Sequence, residues 1–209
     1  MSAPPRLSQS ERETLLQVAV DAIRIPLETR RALHVDAAQF TATLQRETAT
    51  FVTLLLNGAL RGCCGSVLPF EPLIESVARS AKAAAFGDAR FEPLQAHELP
   101  QVELHVSLLS HPLPIHFRDE TDLLAQLRPG TDGLILHFQS HQGVFLPAVW
   151  EYVPDRRDFL NRLKMKASLP PIWWSSAIRV QRFTVEEIYG RAADYLMQPL
   201  DATAGCSSS

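Results

Sequence analysis

The residues best suited to covalent chemistry lie in one short run, Leu60-Arg61-Gly62-Cys63-Cys64-Gly65. A cysteine thiolate is a nucleophile, and a neighbouring guanidinium favours that form. Asn57-Gly58 precedes the run and follows the apolar segment Phe51 to Leu56. Asn-Gly between two extended segments predicts a hairpin, because the tight turn needs positive φ at both positions. With a two-residue loop, Leu56 faces Ala59, Leu54 faces Arg61 and Val52 faces Cys63. Alternation along the strand then puts Arg61 and Cys63 on one face and Cys64 on the other. Cys63 is the candidate nucleophile or redox group, and Arg61 the candidate stabiliser of a thiolate or substrate anion. Gly62 and Gly65 leave backbone open to a ligand or to a neighbouring strand. Two other readings stand beside this one. Free cysteines are often plain core residues, and glycine in a strand often marks only a bulge. A disulfide between Cys63 and Cys64 is opposed by geometry, since adjacent strand residues point to opposite faces.

Other residues offer supporting chemistry. His105 and Ser107 share the face opposite Leu104 and Val106, so His105 is a candidate base for the thiol. Its alternative is a structural histidine. Asp88 is placed to orient Arg90 or Arg61 by charge-assisted bonds, with a helix-to-loop brace as the alternative. These two join Gly62 and Gly65 as candidate substrate-binding residues. His137 and His141 flank an expected turn and lack a His-Glu-x-x-His pattern, so no metal site is expected. Arg156, Arg157, Arg162, Lys164 and Lys166 alternate with Asp155 and Asp158, which reads as a solvated helix face. Trp173-Trp174 is either a docking patch or, on the plainer reading, a core closure. None of the nine glycines falls in a GxGxxG or Walker pattern, and no cofactor is implied.

The elements that must position these residues follow from pattern. Ser8 with Glu11, or Ser10 with Glu13, can box the start of a helix that carries Leu15, Leu16, Ala19, Val20 and Ile23. Pro26 is expected to end it. Residues 28–48 read as a connection with a short helical piece. A helix is expected after Pro72, with Leu73, Val77, Ala81 and Ala84 on its inner face. Glu103 to Leu109 alternates as a strand. A short helix around Leu123 to Leu127 stops at Pro129-Gly130. Gly133 to Phe138 and Val144 to Pro147 read as strands around a turn near Gly143. A helix around Phe159 to Leu163 precedes Pro170-Pro171. Ile178 to Phe183 reads as a strand and Val185 to Leu196 as a helix. Strands joined by short turns favour α+β with mixed, mostly antiparallel sheets and flanking helices, over a doubly wound parallel sheet.

The chain of 209 residues suits one domain or two small lobes, with residues 1–199 folded and 200–209 a polar tail. A net charge of −3 argues against a broad nucleic-acid footprint. No apolar run is long enough to cross a bilayer, and Met1 to Arg12 has no signal-peptide core. Cysteines only at 63, 64 and 206 form no disulfide framework. The expected location is cytoplasmic.

Several ordered blocks resemble the AMMECR family. Leu60 to Gly65 is similar to its LRGCIG signature, and Thr50 to Leu54 to its FVTL strand. Ala85 to Leu94 resembles AxxDxRFxPL, and Glu98-Leu99-Pro100 and Val106 to Leu109 follow in order. Gly143 to Pro147 resembles GLLLPQV, and Lys166 to Pro170 resembles KAGLP. The blocks span roughly residues 10 to 195. Cys64 stands where the signature has isoleucine, so Cys63 matches the family cysteine. Ala148 stands where the family has glutamine, so no role for that amide carries over. The resemblance implies two unequal lobes with Cys63 near the cleft between them. It also implies an association with a Memo-like protein and a radical SAM protein, as in AmmeMemoRadiSam systems. The reaction stays open between a cysteine-dependent enzyme acting on a small anionic or nucleotide-like substrate and a non-catalytic partner.

Overall fold

A computed structural model describes residues 7–197. Both of its sheets are four-stranded, one in the order Ala59–Gly65, Ala49–Leu56, Val102–Leu109, Val185–Arg191 and the other in the order Leu113–Pro114, Arg179–Phe183, Gly133–Phe138, His141–Phe145. The chain divides into a larger unit, formed by residues up to Leu109 and from Glu186, and a smaller unit, Ser110–Val185.

In the larger unit, α1 (Gln9–Thr29) opens on a capping box, with Ser8 and Glu11 satisfying each other's backbone donors. Pro26 does not end this helix. It sits in the last turn, where its missing N–H costs one bond, and the chain closes at Arg30 in the left-handed conformation. A short 3-10 turn at Ala37–Gln39 interrupts the connection to β1 (Ala49–Leu56). Asn57 and Gly58 have φ of 53° and 77°, the turn their sequence demands, and lead into β2 (Ala59–Gly65). Helix α2 (Leu73–Phe86) follows, then β3 (Val102–Leu109). The core lies where Val52, Leu54, Leu104, Val106 and Leu108 meet the apolar faces of α1 and α2.

The expected helix over Val185 to Leu196 is instead β8 (Val185–Arg191), followed by a 3-10 turn at Ala192–Tyr195. Ser107 bonds Glu187 and His105 packs on Tyr189, so the order of contacts reverses and β8 runs antiparallel to β3. The spacing of Val185, Ile188 and Ala192 mimics a helix. The open edge of β3 decides the matter, because pairing there satisfies backbone groups and buries Ile188.

The smaller unit holds β4 (Leu113–Pro114), α3 (Glu120–Gln126), β5 (Gly133–Phe138), β6 (His141–Phe145), α4 (Arg156–Lys166) and β7 (Arg179–Phe183). The β5–β6 turn falls at residues 139–140, not near Gly143. Gly143 is inside β6 because α4 presses on it, and a Cβ there would stand 2.7 Å from the Leu163 carbonyl oxygen. Trp173 and Trp174 pack against this unit's core, edge-on to Phe138 and tilted against Phe117. Lys164 departs from the solvated-face reading. It is fully buried, paired with Glu120, and donates to the Pro171 and Trp173 carbonyls.

Gly62 lets helix and sheet approach closely in the larger unit. A Cβ there would lie 2.0 Å from the Ala84 carbonyl oxygen of α2. Gly62→Ala must push the helix off the sheet, so the urea unfolding midpoint should fall by the equivalent of about 1–3 kcal/mol. An unchanged midpoint would mean that α2 does not sit against this glycine.

Candidate functional site

The β1–β2 register decides where the thiols point. Leu56 faces Ala59 and Leu55 faces Leu60, but Leu54 faces Gly62, Thr53 faces Cys63 and Val52 faces Cys64. Arg61 is the extra residue of a bulge. The expected pairs Leu54–Arg61 and Val52–Cys63 are therefore corrected. Without the bulge Cys63 would project with Val52 into the core. One extra residue turns every later side chain over. Cys64 now packs against the core, and half-buried Cys63 stands on the opposite face.

On that face Thr53 lies between Cys63 and His105, paired with each across its own ladder. The Thr53 hydroxyl donates to the Cys63 sulfur at 3.3 Å. His105 shares the face but sits a full strand beyond Thr53, with backbones about 10 Å apart. Its ring meets that of Tyr189 edge-on, at 4.6 Å between centroids. Burial holds the imidazole below its ordinary pKa, opposed by the nearby Glu103. Thr53, rather than His105, is the sulfur's hydrogen-bond partner.

The segment after α2 fastens this edge strand. Asp88 accepts the Cys63 backbone N–H at 2.9 Å. The same carboxylate accepts two bonds from the Arg90 guanidinium, at 2.9 and 2.6 Å. These bonds, with Arg90 first and Cys63 second, hold Asp88 far below the usual carboxylate range. Arg90 is raised in turn, chiefly through its side-chain hydrogen bonds to Asp88. Of the two arginines proposed for Asp88 to orient, it is Arg90 that it holds. That brings a largely exposed guanidinium within electrostatic reach of the Cys63 side chain.

Arg61 has a different task. Its Nε and Nη2 form a fork on Glu98, both at 2.9 Å, and Nη1 donates to the Glu92 carbonyl at 2.9 Å. The pair is mostly buried, and it lowers the Glu98 pKa, first through these hydrogen bonds. Arg61 thus ties the 92–98 loop to the strand edge. The glycines are also corrected: Gly65 leaves room for Thr50 and Phe51, as Gly62 does for Ala84, so protein backbone fills both spaces rather than a ligand.

Sequence reasoning missed Thr53, Glu98, Tyr189 and Glu187. Thr53 needed the bulged register, and the last two were hidden in a segment read as helix. Glu187 lies on the same face as Cys63, with both carboxylate oxygens accepting from the buried Ser107 hydroxyl at 2.9 Å. Among the described residues no cluster of ligating side chains suits a metal ion. His141 instead bonds the Ala167 carbonyl. Among those residues, too, no helix is long and apolar enough to cross a membrane.

Comparison with known proteins agrees with this architecture. The AMMECR1 family profile matches residues 16–188, and the chain belongs to that family. It is 35% identical over 182 residues to a protein of Methanothermobacter thermautotrophicus, covering 86% of this chain and 94% of that one. A Saccharolobus islandicus protein is 41% identical over 177 residues, covering 81% and 77%. The crystal structure of an uncharacterized Pyrococcus horikoshii protein superposes with a TM-score of 0.76 at 30% identity, covering 87% of this chain and 92% of that one.

Glu187 yields a pH-dependent prediction. Burial raises its pKa, with the Ser107 bonds opposing. An acid whose folded pKa is raised favours folding below its unfolded pKa, and that advantage fades as pH rises through the folded value. Glu187→Gln should therefore unfold at higher urea than wild type at neutral pH. The two midpoints should converge below the ordinary glutamate pKa. A variant less stable than wild type at neutral pH would contradict this.

Proposed function

We propose that the larger unit carries a cysteine-dependent centre acting on a small anionic or nucleotide-like substrate. One observation carries the reading: the Asp88 carboxylate joins the Cys63 backbone to the Arg90 guanidinium. In this reading Cys63 supplies the nucleophile or redox group. Arg90 receives the substrate's anionic group, since its Nη1 lies beyond the Asp88 fork. Thr53 steadies the sulfur. Arg61 acts by holding the 92–98 loop, and His105 with Tyr189 forms one wall. A cytoplasmic setting, where thiols stay reduced, suits such a centre.

A second reading makes the chain a non-catalytic partner of a Memo-like or radical SAM protein. The exposed Leu60, Leu68 and Phe70, on and just after β2, favour it.

Alkylation separates the two. Iodoacetate carries the anionic group that Arg90 would capture, and iodoacetamide is its neutral counterpart. Site-resolved mass spectrometry should find Cys63 modified several-fold faster by iodoacetate than its intrinsic reactivity against iodoacetamide allows. Arg90→Ala should abolish that preference, and Cys64 should lack it. Equal preference in wild type and Arg90→Ala would refute the anion-binding thiol and leave the partner reading.

A further inference from the structure

The smaller unit has a cavity of about 420 Å³ that none of the chemistry above uses. Leu113, Pro114, Ile115 and Phe183 give it apolar walls, and Arg128 and Arg182 supply charge. The placement of Arg182 is unusual. In register it lies between Leu113 and Leu134, and Leu134 is fully buried. Arg182 therefore projects from the same side of the sheet as the core residues Leu134, Leu136 and Val180.

A guanidinium in such a setting needs compensation. The available carboxylate is Asp132, which is fully buried. Arg128 dominates it, donating Nε and Nη2 to Oδ1 at 2.9 and 2.6 Å and its backbone N–H to Oδ2 at 2.9 Å. Arg182 donates one long bond, Nη1 to Oδ2 at 3.4 Å. Two guanidiniums thus share one carboxylate, and the other donors of Arg182, whose side chain is 22% exposed, are left open to a ligand or to water.

We propose that this cavity binds a small carboxylate bearing an apolar body, with the carboxylate on Arg182 and the body against Leu113, Ile115 and Phe183. A planar carboxylate matches the two-pronged guanidinium, and the apolar walls seat the ligand's body beside it. The surplus positive charge selects an anion over a neutral or cationic ligand. Its apolar lining selects against inorganic phosphate. This site stands independently of Cys63.

The test is an NMR titration of the full-length protein with hydrocinnamate, its uncharged amide, and inorganic phosphate. Hydrocinnamate should give saturable shifts at the amides of Ile115, Phe183 and Thr184. The amide should bind about tenfold more weakly, as loss of a charge-assisted pair implies. Phosphate should be weaker still. Arg182→Gln should reduce hydrocinnamate to the level of the amide, and Cys63→Ser should leave it unchanged. Leu113→Trp, which fills the cavity while keeping both arginines and Asp132 in the chain, should abolish binding and decides the matter if Arg182→Gln fails to fold. Equal binding of acid and amide, phosphate binding as well as hydrocinnamate, or binding that survives Leu113→Trp would each overturn the proposal.

Discussion

The carboxylate of Asp88 is the interaction on which the site depends. β2 is an edge strand, and its outward backbone groups would otherwise be bare. Asp88 takes the Cys63 N–H and, with the same two oxygens, holds Arg90. One side chain therefore protects the edge, fixes the backbone that carries the thiol, and aims a positive charge. Arg61 adds a second fastening through Glu98 and Glu92. The 88–98 segment is thus a clamp on the strand as much as a connection between α2 and β3.

The bulge and the two glycines are the other half of the same design. Gly62 lets α2 approach the sheet, which seals the core face of β2. The bulge at Arg61 then turns Cys63 away from that sealed face. Regular alternation from the Asn57-Gly58 turn would instead put Arg61 and Cys63 on the core face and turn Gly62 away from the helix. The irregularity lets consecutive residues serve the loop, the helix and the open face in turn.

Much of the frame was legible because local chemistry decides it. Asn57-Gly58 admits one favoured turn, and Ser8 with Glu11 makes a reciprocal cap. Leu104, Val106 and Leu108 alternate as a half-buried strand must. The failures share a cause, which is long-range contact. Nothing local to Arg61 announces a bulge, so the register slipped by one residue and hid Thr53. Gly143 resembles a turn glycine until α4 is known to lie upon it. Val185, Ile188 and Ala192 have helical spacing, and only the vacant edge of β3 makes them part of a strand and its exit. Of the candidate residues, Asp88 was expected to orient Arg90 or Arg61 and holds Arg90, while its bond to the Cys63 N–H had no local signal. Arg61 was assigned to the thiol because it is near in sequence, whereas its partners lie more than thirty residues away in the chain.

Amide hydrogen exchange at Cys63 tests the central claim most directly. In the wild type this edge-strand amide should exchange slowly, because Asp88 holds it. In Asp88→Ala it should exchange near the rate of an unprotected amide, while Val52 and Leu54 on the central strand keep their protection. A Cys63 amide that exchanges freely in the wild type, or stays protected without Asp88, would contradict the account.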